Sequence, residues 1–294
     1  MHDFVIAGVL LSLMATVPLA WKWQLGAARV AVVVGALALA VGLLIGALDA
    51  ALPSNLWVRT GAVWLTTMAV ASAILAYRFY RDPERETPKR SDAVVSPADG
   101  EVIYVREASR GLLPVSSKLG RNYTLQELTK TSLQSDDALV IGIGMSFLDV
   151  HVNRAPIHGR VSFQRHFAGK FGSLRSAEMV FENERVTTVI EQDFLQLAVV
   201  QIASRLVRQI VSFVSENQEV QAGQRIGVIR FGSQVDIVLP ARDDVRVLVM
   251  PGQRVRAGES VLAVFQPRVK TAPASAGAQV LKLPRENLTV APTI

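Results

Sequence analysis

Phe231-Gly232-Ser233-Gln234-Val235-Asp236-Ile237-Val238-Leu239-Pro240 joins a turn dipeptide to a run of β-branched and apolar residues, and reading that run as a strand organises the rest of the chain. A Gly-Ser pair ordinarily marks a turn, and Phe171-Gly172-Ser173 repeats the same triplet. The surroundings separate the two. Ser173 leads into the polar Leu174-Arg175-Ser176-Ala177-Glu178, whereas Ser233 leads into residues that would hold it on a rigid sheet. Glycine offers no side chain to stop a neighbouring hydroxyl from swinging back onto its carbonyl, and it tolerates the backbone angles such an attack needs. The Gly232–Ser233 peptide bond is therefore a chemical candidate for self-cleavage.

Outward from this strand the texture stays largely β. Short β-branched segments, many bounded by Gly, Pro, Asn or Asp, occur at 93–95, 101–105, 138–143, 185–190, 195–202, 210–214, 225–230, 245–249 and 260–265. Thr124, followed three residues later by Glu127, has the form of a capping box and predicts a helix over 124–131. Residues 201–214 fit a strand or an amphipathic helix equally. Two stretches, Glu219 to Val228 and Arg254 to Ala263, share an order of apolar residue, spacer, Ala-Gly turn and apolar strand. That order resembles lipoyl and biotinyl carrier domains, but no lysine lies between the repeats, so a shared β-sandwich element is the better reading than a swinging arm. The expected fold is a mainly β (α+β) domain over 81–268 with lipoyl-like sandwich elements. An α-helical membrane region over 1–80 precedes it and a flexible tail over 269–294 follows.

The membrane region comes from three apolar runs, Phe4 to Ala20, Ala27 to Leu48 and Leu56 to Tyr77, each near the length that crosses a hydrocarbon core of about 30 Å. Trp21-Lys22-Trp23 reads as an interfacial anchor. The amino terminus has no basic region or small-residue cleavage pattern, so these runs are read as retained rather than as a cleaved signal. Lys22 and Arg29 border one connector, and Arg78, Arg81, Arg85, Lys89 and Arg90 follow the third run. The positive-inside rule then puts the amino terminus outside and the main domain in the cytoplasm, giving a multi-pass protein of the cytoplasmic (inner) membrane.

Cysteine is absent, which removes disulfides, thiolate nucleophiles and cysteine metal sites. The four histidines are scattered without metal-ligand spacing, so no metal is expected. A formal charge of +6 without arginine-aromatic interleaving fits anionic lipid headgroups better than nucleic acid. Three further patches carry candidate chemistry. Asp99 lies in the turn Ser96-Pro97-Ala98-Asp99-Gly100, whose plain reading is a turn-forming Asp-Gly. Asp149, His151 and Asn153 alternate, and either form the wet face of a sheet or place histidine for proton transfer. Glu182-Asn183-Glu184-Arg185 reads by default as a solvated charge cluster.

Six spaced motifs now occur in one order: Arg81-Asp82-Pro83-Glu84-Arg85, Ser96 to Gly100, Asp149 to Pro156, Gly169-Lys170-Phe171, Asn183-Glu184-Arg185 and Arg230-Phe231-Gly232-Ser233. Between Arg78 and Phe265 the chain resembles the phosphatidylserine decarboxylase proenzyme family, in particular its short prokaryotic branch, although its three spans exceed the anchor expected there. The resemblance implies an enzyme that cuts itself at Gly232–Ser233 into α and β chains and converts Ser233 to a covalent pyruvoyl group, without pyridoxal phosphate or metal. That ketone would condense with the amine of phosphatidylserine and draw electrons as carbon dioxide leaves, yielding phosphatidylethanolamine. By position Ser233, His151 and Asp99 match the family's catalytic residues, with one or both of Asp99 and His151 helping to deprotonate Ser233. Asn153, Arg154, Lys170 and Phe171, which lie in matched motifs, become substrate-binding candidates. Two departures stand out: Arg154 replaces the second histidine of the longer branch's His-x-x-His, leaving His158 as an alternative for self-cleavage, and Leu-Gly-Ser-Thr becomes Phe-Gly-Ser-Gln. The expected partners are a membrane, a serine phospholipid of unspecified tails, including an archaetidylserine type, and further copies of the chain. Two other readings stay open: a serine hydrolase built on Asp99, His151 and Ser233, although no Gly-x-Ser-x-Gly elbow surrounds Ser233, and an uncleaved membrane-anchored β-sandwich binding module.

Overall fold

The three apolar runs form helices Asp3–Lys22 (α1), Ala27–Ala47 (α2) and Leu56–Tyr80 (α3). In the computed structural model, residues 3–23, 25–48, 55–116, 120, 122–174, 176–193, 195–204, 210–229 and 233–265 are described. The helices are long and apolar enough to cross a membrane, and side chains such as Met14, Val32 and Leu44 face outward where hydrocarbon would cover them. Glycines let them pack closely, since a Cβ on Gly8 would stand 2.6 Å from Val63 and one on Gly42 would stand 2.8 Å from Val5. The side chain of Asn55 caps α3 by accepting from the N–H groups of Trp57 and Val58.

Sixteen described strands follow. The first seven are Ala93–Val95 (β1), Gly100–Ala108 (β2), Leu112–Ser116 (β3), Asn122–Thr124 (β4), Ala138–Gly144 (β5), Val152–Arg154 (β6) and Gly159–Phe167 (β7). Arg185–Gln192 (β8), Leu195–Ile202 (β9), Ile210–Ser212 (β10), Glu219–Val220 (β11) and Arg225–Ile229 (β12) come next. Gln234–Pro240 (β13), Val245–Val247 (β14), Arg254–Val255 (β15) and Val261–Phe265 (β16) complete the set. The strand read from the opening stretch, β13, is central. It pairs with β9 on one side and β5 on the other in an eight-stranded antiparallel sheet of order β11-β7-β8-β9-β13-β5-β2-β15.

That order is symmetric about the β9–β13 pair. Val220 faces Gly159 as Val255 faces Gly100; Arg160 faces Glu191 as Glu101 faces Gly144. A bulge follows at the same step in each half, between Val161 and Phe163 and between Val102 and Tyr104. The three-stranded sheets β6-β12-β10 and β1-β16-β14 complete the correspondence. The two sequence repeats are matching corners of this pseudo-twofold unit, with Gly223 and Gly258 turning at φ 80° and 75°. Alternation along β13 sends Val235, Ile237 and Leu239 into a core shared with the small sheets, and Val238 into a second core on the opposite face.

The capping box forms as read: Glu127 N–H donates to Thr124 Oγ1, Thr124 N–H donates to Glu127 Oε2, and a helix runs over Leu125–Thr129 (α4). Three expectations change. The Glu182 to Arg185 patch is not a solvated cluster, because Asn183, Glu184 and Arg185 are buried. The Arg185 guanidinium donates to the carbonyls of Leu128, Val180 and Asn183, and so caps α4 and a second short helix, Ala177–Glu182 (α5), that local pattern did not reveal. Burial pushes its pKa down to about 10. Second, Asp149, His151 and Asn153 are all buried rather than wet. Third, the nine-residue β7 was not anticipated, because Arg160, Gln164, Arg165 and His166 interrupt its apolar alternation. The earlier triplet is held in a turn, where Gly172 N–H donates to Asn183 Oδ1 and Asn183 Nδ2 donates back to the Gly172 carbonyl. The proposed tail over 269–294 lies outside the described residues.

Candidate active site

Ser233 stands immediately before β13 and is buried. Its carbonyl accepts from Met145 N–H at 2.9 Å, and its hydroxyl donates to Met145 Sδ at 3.2 Å. A thioether is a weak acceptor, so the hydroxyl is oriented without being tightly committed. Four residues earlier, Ile229 N–H donates to the His151 carbonyl at 3.1 Å. The segment from Met145 to His151 is thus hydrogen-bonded to the chain on both sides of the Gly232–Ser233 bond; Gly232 itself lies outside the described residues. Asn153 points into the same region, with its Nδ2 4.0 Å from Met145 Sδ and its Oδ1 accepting from Gln201 Nε2 at 2.8 Å.

His151 is 2% exposed, and among the described residues neither ring nitrogen makes a hydrogen bond of ordinary geometry, the backbone of Asp149 offering only a weaker approach. A buried imidazole whose nitrogens lack such bonds is costly and calls for a functional reason. Burial holds its pKa below the ordinary histidine value; the backbone and charge of Asp149 oppose that shift and the charge of Arg81 adds to it. The ring is therefore neutral at pH 7 and able to accept a proton. Asp149 is itself anchored by Ser146 N–H at 2.7 Å and by an ion pair with Arg254.

Asp99 is held by other partners. Its carboxylate accepts two bonds from Arg85 Nη2, at 3.1 and 2.8 Å, and one from Ala257 N–H at 2.8 Å. None of these bonds runs to His151 or Ser233, so Asp99, His151 and Ser233 are not joined by hydrogen bonds among the described residues. Arg154 is likewise engaged in architecture, donating to the Gly223 and Pro83 carbonyls and to Asp82. Lys170 is exposed and paired with Glu182, Phe171 follows it on the segment beside α5, and His158 is exposed at the start of β7. Of the residues singled out from sequence, Ser233 and Asn153 share Met145 as a neighbour, and Asp149 and His151 lie on the segment that leads from Met145 to Asn153. The fold adds Met145 and Gln201, for which no local pattern gave a signal.

The opposite face of β13 carries a second polar group. Asp236 is fully buried, with Tyr104 Oη donating to one oxygen and Gln234 Nε2 to the other, both at 2.7 Å. Burial raises its pKa to about 6, against the pull of these donors and of Arg185 and Arg106. Burial together with the Asp236 charge likewise lifts the Tyr104 phenol well above its usual range.

The family model for phosphatidylserine decarboxylase matches residues 73–263. A curated relative from Methanothermobacter thermautotrophicus, described as a putative archaetidylserine decarboxylase proenzyme, is 39% identical over 193 residues, covering 66% of this chain and 82% of the relative. The family-model match takes in every motif from the Arg81–Arg85 segment to Ser233 and excludes the plain binding-module reading. This chain is a decarboxylase belonging to the phosphatidylserine decarboxylase family.

Proposed function

We propose that the protein is a membrane-bound proenzyme that cuts itself between Gly232 and Ser233 and then decarboxylates serine phospholipids through the pyruvoyl group so formed. The observation that carries this reading is the bracket around the bond: Met145 and His151, six residues apart, grip Ser233 and Ile229 on either side of it. In the first step the Ser233 hydroxyl loses its proton and its oxygen bonds to the Gly232 carbonyl carbon, while the Gly232–Ser233 C–N bond breaks to leave an ester and a free amine. Loss of the Ser233 Cα proton then expels the Gly232 carboxylate, ending one chain at 232 and leaving dehydroalanine at 233. Its imine tautomer takes up water, releases ammonia and becomes the ketone. His151, buried and held below the ordinary histidine pKa, is the base for these proton transfers.

The residues around Ser233 suit such a group. Ser233, Met145, Asn153, Gln201 and His151 are all buried, which keeps water from an electrophile at that position. When present, the pyruvoyl ketone supplies an electron sink for loss of carbon dioxide. His151 then returns a proton to the reacting carbon, and Asn153, held by Gln201, is placed to orient the substrate. Asp99 serves self-cleavage indirectly, through the Arg85 and Ala257 contacts that fix the turn leading into β2. Residues 81–265 form the catalytic unit, and the basic residues after α3 favour its placement on the cytoplasmic side.

Intact-mass analysis of full-length protein purified from membranes tests the assignment. The expected species are residues 1–232 and a 233–294 fragment that lacks the serine amine and reacts with carbonyl reagents. Ser233→Ala is expected to give one uncut chain with no decarboxylase activity, and a processed Ser233→Ala protein would overturn the reading. The name of the archaeal relative favours a second lipid, archaetidylserine. Parallel assays with ester-linked and ether-linked serine phospholipids decide between the two tails.

A further inference from the structure

The last turn of α3 does not stop at the domain surface. Phe79 is 4% exposed, and its ring centroid lies 4.5 Å from that of His151 at an interplanar angle of 38°. Phe79 also meets Phe147 at 5.1 Å, and Phe147 stacks on Trp23, just beyond the end of α1, at 5.7 Å and 11°. Arg81 closes the contact by donating to the Leu148 carbonyl at 3.0 Å. Histidine orientation is usually set by a hydrogen bond to one ring nitrogen. Here neither nitrogen makes one of ordinary geometry among the described residues, so packing has a large share in holding the plane of the imidazole, and a residue of the third membrane helix supplies that packing.

We propose that Phe79 is a positioning residue for His151, so that the third membrane helix forms one wall of the active site rather than only tethering it. The proposal rests on the role given to His151 above. It follows that the catalytic imidazole sits where the helix bundle meets the domain, close to the level at which a phospholipid presents its headgroup. Displacement of a reacting group by about 1 Å can cost on the order of a hundredfold in rate. Phe79→Ala removes the ring, admits water and frees the imidazole to turn.

The experiment uses full-length protein in detergent–phospholipid micelles, with rates expressed per reactive carbonyl. Phe79→Ala is expected to lower kcat roughly ten- to a hundredfold, with KM for the serine phospholipid changed less than about twofold. The pH limb governed by His151 shifts upward, because the groups facing the ring, Asp149 with its Arg254 partner and Arg81, stay in place while burial is relieved. That direction holds whether the neutral or the charged ring is the working form. Phe79→Leu, which keeps the apolar bulk, restores most of kcat. A second readout is independent of turnover: diethyl pyrocarbonate modification of His151, followed by mass spectrometry in the Ser233→Ala background, accelerates at least tenfold on adding Phe79→Ala. Unchanged modification and unchanged kcat in a normally processed Phe79→Ala protein would overturn the proposal. Wild-type protein that is neither cut nor active would instead overturn the role of Ser233, while the modification assay still reports on Phe79 and His151.

Discussion

Replacing Asp236 by asparagine removes a buried carboxylate whose pKa in the folded protein is raised to about 6 from an ordinary value of 3.8. The folded state therefore holds this proton more tightly than the unfolded chain, and the associated stability is fully present below the unfolded pKa and lost as pH rises through the folded one. The rise from 3.8 to about 6 corresponds to about 3 kcal/mol over the whole window. Roughly 1 kcal/mol of it falls between pH 5 and 7, worth a shift of about 2–4 °C in Tm for a domain of this size. Thermal unfolding of wild type and Asp236→Asn, followed by circular dichroism in the same detergent, should show the Tm gap between them changing by that amount across pH 5 to 7. The wild type loses ground as pH rises. Lost hydrogen bonds to Tyr104 and Gln234 add a constant offset without altering the slope. Identical pH slopes in the two proteins would refute the reasoning, because the penalty of the buried charge would then be absent.

Arg85→Met strands the buried Asp99 with a single main-chain donor and should cost about 3–5 kcal/mol in denaturant unfolding, with Arg85→Met/Asp99→Asn recovering more than half. Gly100→Ala and Gly159→Ala test the pseudo-twofold unit, since an added Cβ would stand 2.3 Å from the carbonyl oxygen of Gly144 in the first case and Glu191 in the second. Each is expected to cost about 1–3 kcal/mol by overpacking. Only Gly100→Ala should also slow appearance of the 1–232 fragment on a gel, because Gly144 precedes the Met145 that holds Ser233.

Much of this molecule is legible in one dimension because its signals are local. Three apolar runs, a capping box, a strand opening on Gly-Ser and two Ala-Gly corners each depend on a few neighbouring residues, and each corresponds to an element of the structure over its described residues. The motif order was likewise enough to identify the family. The fate of the polar residues was not legible, because burial of a charge depends on partners far along the chain. Arg185 reads as solvated until two helix ends converge on it, and Asp99 looks poised beside a serine until Arg85, 14 residues away, takes its carboxylate. His151 was visible as a proton carrier, but the burial of its ring without a hydrogen bond of ordinary geometry among the described residues, and the membrane-helix phenylalanine against that ring, arise only when segments more than seventy residues apart are packed together. Local periodicity determines what a segment becomes, whereas desolvation and pairing over long separations determine what its side chains can do.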